Sequence, residues 1–177
     1  MKFPVPDGDH YDPSVVYVHQ ASHTRGVLIN QIILLERLID SYISKYFCNT
    51  QDKATELMDM ILATRRMTFD GKADVFRTIL DKLYPEKKKE NSTIAKDLKF
   101  IIEERNMLAH YFLDVSPDIL NSFSETNSAF TLLKIEKTRT REVFDFKRII
   151  KIGDTTVHYI NAINEMLQQD LVGFGQK

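Results

Sequence analysis

The sequence predicts an all-α fold, a helical bundle of four to five main helices with a small β-hairpin inserted before the last helix. Three observations carry that expectation. Apolar residues recur in alternating steps of four and three along most of the chain, the signature of core-facing helical stripes. One window, near residues 130–146, abandons that period for aromatic and branched residues around a polar turn. The whole is 177 residues, 43% of them hydrophobic, which is room for one domain with a sizeable core. The expected organisation is an extended arm at 1–13, a single helical domain at 14–171 and a tail at 172–177.

Three of the five prolines (Pro4, Pro6, Pro13) fall in the arm, and Pro85 and Pro117 mark loops. The first long helix should start at Pro13 and Ser14, where a missing N–H costs nothing. Its stripe is Leu28, Ile32, Leu35, Ile39, Tyr42 and Tyr46, and it should end near Cys48 with Asn49 and Thr50 free to cap the next helix. Gly26 inside this run is expected to bend the helix or admit another one closely. A second helix spans Gln51 to Met67, with Leu57, Met58, Ile61 and Leu62 inward. Asp70-Gly71 reads as punctuation before a third helix carrying Val75, Phe76, Ile79, Leu80 and Leu83, which Pro85 stops.

The run Glu86 to Asn91, with three lysines, reads as a solvated loop. Ser92 should cap a strong helix from Thr93 to Leu113. Phe130–Glu136 and Arg141–Phe146, joined by Thr138-Arg139-Thr140, make the hairpin. Asp145 should cap the last helix, which runs to about Leu171 with the stripe Ile149, Gly153, Val157, Ile160, Ile163 and Leu167.

Charge and cysteine content narrow the class. Lys+Arg 24 against Asp+Glu 25 exclude a globally basic nucleic-acid binder and an acidic disordered tail. Cys48 is the sole cysteine, so neither an intrachain disulfide nor a cysteine-based zinc site is available. The N-terminal residues lack the layout of a secretory signal, and no stretch approaches a membrane span. A cytoplasmic protein with no membrane association is the expectation.

The segment Ile94 to Leu113 carries the chemistry. Its stripe should be Ile94, Leu98, Ile101, Arg105, Leu108 and Phe112, so an arginine falls where the pattern assigns the interior. A buried guanidinium is costly unless paired. Arg105 therefore either snorkels or meets a core carboxylate, or it faces a cleft or interface that holds an anion. His110 comes five residues later, with Asn106 one turn before it. Histidine suits proton transfer near neutral pH, although a histidine at a helix end also has a purely structural use. At about 100° per residue, Arg105 and His110 lie roughly 140° apart. One narrow intrachain pocket does not accommodate both, whereas a two-fold axis lets each chain offer the same helix edge.

Arg105-Asn106-Met107-Leu108-Ala109-His110 resembles the R-x4-6-H motif of HEPN domains (higher eukaryotes and prokaryotes nucleotide-binding). The surroundings are also similar to that family: a long first helix with Leu34-Leu35-Glu36 and Tyr46-Phe47, the Met67 to Leu83 segment, and the hairpin before the last helix. The likeness covers Ser14 to Leu171. It implies a homodimeric, metal-independent endoribonuclease without a cofactor, in a toxin–antitoxin or antiviral setting, with RNA as substrate and an antitoxin or nucleotidyltransferase as candidate partner. On that resemblance His110 is the general base or acid at the ribose 2′-hydroxyl. Arg105 holds the scissile phosphate, Asn106 orients the pair, and the products carry 2′,3′-cyclic phosphate ends. The family also contains catalytically silent modules that dimerise or bind a nucleotide or a protein.

Between Lys134 and Lys151, seven basic residues meet three acids. Lys134, Lys137, Arg139 and Arg141 of the hairpin are candidate backbone contacts for RNA, or simply charges that protect a sheet edge. Arg65 and Arg66 are candidates to extend the patch, and Tyr111 is a candidate substrate contact. His19 and His23 have a metal-compatible spacing but no evident third ligand. Glu103 and Glu104 are candidates to pair with Arg105 or with an opposing subunit, and read by default as an exposed acidic pair. No glycine-rich phosphate loop or G-x-S-x-G elbow is present.

Overall fold

Helix α1 (Pro13–Phe47) sets the frame, and its limits arise from local chemistry. Asp12 caps it by accepting from the Ser14 amide at 2.9 Å, and Pro13 occupies the first turn. The structure, a computed structural model, describes residues 12–64, 67–123, 129–136 and 138–173. Leu28, Ile32, Leu35, Ile39 and Tyr42 are buried as the stripe requires, and Tyr46 is half-buried. A Cβ added at Gly26 would meet nothing within 4 Å, so no described element of the chain exploits the close approach that this glycine permits.

The second helical segment is shorter than its periodicity suggests. Helix α2 (Gln51–Leu57), capped by Thr50, passes into a π-helical turn at Met58–Leu62. Arg65 and Arg66 lie outside the described residues. Helix α3 (Phe69–Leu83) starts earlier than expected, because the Thr68 hydroxyl accepts from the Gly71 amide at 3.2 Å. Asp70-Gly71 is thus the first turn of a helix rather than a break. The lysine run is also not a loop. A 3-10 turn (Pro85–Lys87) leads directly into α4 (Lys88–His110). Ser92 lies in the interior of that helix, and Asn91 is buried with its side chain donating to Asp81 Oδ1 at 3.0 Å.

Helix α4 ends at His110, three residues short of the expected Leu113. The chain turns extended at Tyr111, and Phe112–Leu113 form strand β1. A short helix α5 (Pro117–Ser122), not foreseen, precedes β2 (Phe130–Ile135) and β3 (Arg139–Phe144). The hairpin is present, but it belongs to a three-stranded antiparallel sheet of order β1-β2-β3, with Phe112 opposite Leu133 and Leu113 opposite Leu132. Phe112 consequently leaves the predicted core stripe and is 63% exposed. On the inner face Phe130 and Phe144 stack at 5.1 Å between centroids. Tyr17 of α1 accepts from the Thr131 amide at 3.0 Å and ties sheet to bundle.

Asp145 caps helix α6 (Phe146–Gly173) as predicted, accepting from the Arg148 amide at 2.7 Å. The helix continues two residues past Leu171. Its buried line is Ile152, Thr156, Tyr159 and Ile163, whereas Val157 faces outward and Ile149, Ile160 and Leu167 are half-buried. The face is rotated by one residue from the expected one, and polar Thr156 is accommodated in the interior because its hydroxyl donates to Ile152 O. Around α1 pack α3, α4 and α6, giving a mostly-α bundle with a small β-hairpin before its last helix. No helix among the described residues is long and apolar enough to cross a membrane.

Candidate functional site

The candidate site is the last two turns of α4. Its buried line runs Leu98, Ile101, Glu104 and Leu108, so the charged residue in the core is Glu104 and not Arg105. The acidic pair is therefore not the exposed one expected, since Glu104 is only 5% exposed. The Arg148 side chain of α6 supplies the counter-charge, with Nε at 3.1 and 3.0 Å from the two carboxylate oxygens. The same guanidinium donates to Val143 O at 3.0 Å, lies 3.3 Å from Glu142, and stacks 4.0 Å above the Phe144 ring. Burial pushes the Glu104 carboxyl above its ordinary value, and Arg148 opposes that push.

Arg105 is half-buried at the end of the bundle, and its Nη1 donates to Asn106 Oδ1 at 3.3 Å. Asn106 and His110 are exposed. The helix remains regular through this stretch, so Arg105 and His110 leave it roughly 140° apart. Within the chain the fold brings Arg105 to Asn106 and leaves His110 on another face of the same helix end.

That end is braced from α1. The last helical bond runs from the Tyr111 amide to Met107 O, so the carbonyls beyond it need other donors. Arg25 provides them for two of these carbonyls. Its Nε and Nη2 reach Leu108 O at 3.1 and 2.5 Å, and Nη2 reaches Tyr111 O at 3.1 Å. Burial draws the Arg25 pKa downward, but a guanidinium stays charged throughout the physiological range.

The hairpin is less free to meet a phosphate backbone than its composition suggests. Lys134 pairs with Glu136 at 2.9 Å and lies 5.8 Å from the Tyr111 ring centroid, which brings those two candidates together. Arg141 is held by Asp114 and Asp118, each at 2.7 Å, and by the Ser116 hydroxyl at 2.9 Å. Arg141 keeps the Asp118 carboxyl down at about 2 and helps lower that of Asp114. Arg139 is exposed on β3 opposite Ile135, and Lys137 lies outside the described residues. His19 and His23 are both exposed on α1. Among the described residues, no three His, Cys, Asp or Glu side chains are placed to hold a metal.

Sequence reasoning missed Arg25, Arg148 and Asp114. The one available signal was that Arg25 flanks the core stripe of α1 three residues before Leu28. Its partners lie more than eighty residues away, where periodicity carries no information. Two surface clefts, of about 380 and 300 Å³, contain none of the motif residues. One is lined by Tyr46, Phe47, Val75 and Lys82, the other by Phe76, Ile94, His158 and Met166. No family model matches this chain, nor does any curated protein or solved structure.

Proposed function

We propose that this chain is a HEPN-type, metal-independent endoribonuclease that works as a homodimer in a toxin–antitoxin or antiviral defence setting. The observation that supports it most is the position of Arg105, Asn106 and His110 on the open end of α4. A long helix presents Asn106 and His110 at the surface with Arg105 half-buried beside them, in a helical bundle with a hairpin before its last helix. A two-fold axis at that edge sets Arg105 of one protomer near His110 of the other and removes the conflict of their angular separation.

In the proposed reaction His110 takes the proton of a ribose 2′-hydroxyl. The 2′ oxygen then bonds to the adjacent phosphorus, the bond from phosphorus to the 5′ oxygen of the next nucleotide breaks, and that oxygen leaves as an alcohol by taking the proton from the His110 imidazolium. Arg105 balances the charge that builds on the phosphoryl oxygens, and Asn106 keeps the guanidinium oriented. One product ends in a 2′,3′-cyclic phosphate. His110→Ala and Arg105→Ala should each abolish cleavage while leaving the melting temperature near that of the wild type. Cleavage that survives both substitutions would sink the reading.

A second reading is a catalytically silent module for dimerisation or for binding a nucleotide or protein. It draws on the outer face of the sheet, which by the register carries Phe112, Ile135 and Val143, each more than half exposed, with Arg141 between the last two. With Arg141 held in ion pairs, that face suits a protein better than a phosphate backbone. It predicts assembly that weakens on substituting Phe112 and no nuclease activity in the wild type.

A further inference from the structure

We infer that Arg25 is a positioning residue for His110, which it holds through the backbone on either side. The inference rests on the ribonuclease reading for its kinetic consequence, and on the geometry alone for its structural one. His110 is the last residue of α4, and a helix end frays when its final carbonyls find only water. The carbonyls that Arg25 grips belong to Leu108, two residues before His110, and Tyr111, one residue after it. Leu108 is fully buried, so one grip sits on an immobile point and the other on the first extended residue. The chain that bears the imidazole is pinned between them.

Arginine is the side chain suited to this task. Its planar fork carries donors at fixed angles and spans two acceptors at once, whereas a lysine ammonium offers a single point on a flexible stem. Arg25 itself projects from the interior of a 35-residue helix and is half-buried. It therefore transmits the rigidity of α1 to the end of α4. A general base must lie within a fraction of an ångström of its productive place, so loosening one turn reduces turnover more than it reduces binding. Nothing in this arrangement requires Arg25 to touch substrate.

The test uses the full chain with labelled histidine. In Arg25→Gln, amide exchange at residues 110 and 111 should rise at least tenfold. The His110 imidazole signal should broaden or shift, while that of His158 on α6 stays in place. On single-stranded RNA, kcat should fall at least tenfold with KM within twofold of the wild type. Arg25→Lys should recover part of each effect. Leu62→Ala, which lowers stability at a distant core position, should leave the His110 signal and kcat unchanged. An unmoved His110 signal with unchanged exchange at 110 and 111 in Arg25→Gln overturns the inference, whatever the enzyme does. Should the wild type cleave no RNA, the ribonuclease reading fails, and the exchange and imidazole signals still decide whether Arg25 holds His110. If Arg25→Gln does not fold, the Lys variant alone decides, and wild-type exchange and wild-type kcat in it contradict the role.

Discussion

Glu104 Oε2 lies 3.0 Å from the Arg148 guanidinium, between α4 and α6, one residue before Arg105. Both side chains are largely withdrawn from solvent, and the pair fixes the turn that begins the candidate motif. Removing one partner of such a pair leaves an uncompensated buried charge, which typically costs about 3–5 kcal/mol. Arg148→Met should therefore destabilise the fold by roughly 3 kcal/mol in urea unfolding. Glu104→Gln should cost less, because Arg148 retains Glu142 and Val143 O. Equal losses in the two variants would contradict this assignment.

A second prediction concerns the acid limb of stability. Arg141 holds Asp118 below the ordinary carboxylate value, and it joins the hydrogen bonds from Ser116 in lowering Asp114 against the effect of burial. A carboxyl with a depressed folded pKa contributes stability that is present above its unfolded value and lost as pH falls through the folded one. The melting temperature of the wild type should thus drop more steeply between pH 4 and pH 2 than that of Arg141→Ala. Parallel curves would show that the contacts carry no weight in solution.

Lys72 lies 2.6 Å from Glu36 and 3.0 Å from Asp40, and is itself 4% exposed. Burial outweighs the ammonium at Asp40 and pushes its carboxyl upward. Lys72→Met leaves both carboxylates without their cation, and a loss of about 3 kcal/mol at pH 7 is expected. In that variant the folded state takes up protons more readily than the unfolded one, so stability recovers as pH falls toward the unfolded carboxylate value. Denaturant melts at pH 7 and pH 5 check the sign. A deficit that widens in acid would refute it.

The Thr131 amide is buried and donates to the Tyr17 hydroxyl. Tyr17→Phe keeps the ring, including its edge contact with Phe123, but removes the acceptor. An unpaired buried donor costs about 1–3 kcal/mol, so a melting shift of several degrees should result. Exchange of the Thr131 amide should accelerate beyond that of its neighbours in the same strand.

The helices were readable where one face alone decides the period. Leu28, Ile32, Leu35 and Ile39 repeat cleanly, and the aromatic window at 130–146 breaks the helical period and reads as a hairpin. Boundaries failed where a cap outweighed punctuation. Thr68 converted Asp70-Gly71 into a first turn, and Lys87 to Lys89 started a helix without a side-chain cap. Strand β1 escaped notice because two residues hold no pattern, and they pair only after the distant strand β2 arrives. At the site, Arg105 and His110 were visible as residues out of place on a helix. The groups that reach this stretch of α4, Arg25 at Leu108 and Tyr111 and Arg148 at Glu104, come from the first and last helices, and a one-dimensional pattern does not encode such meetings. Glu104 was misjudged for the same reason, since a buried acid looks like a surface one until its arginine is found.

The most direct measurement is incubation of the purified protein with mixed single-stranded RNA in EDTA, beside His110→Ala. Cleavage by the wild type alone, with 2′,3′-cyclic phosphate ends, is the expected result. Cleavage by both proteins would remove His110 from the chemistry, and cleavage by neither would contradict the ribonuclease proposal and favour the binding module.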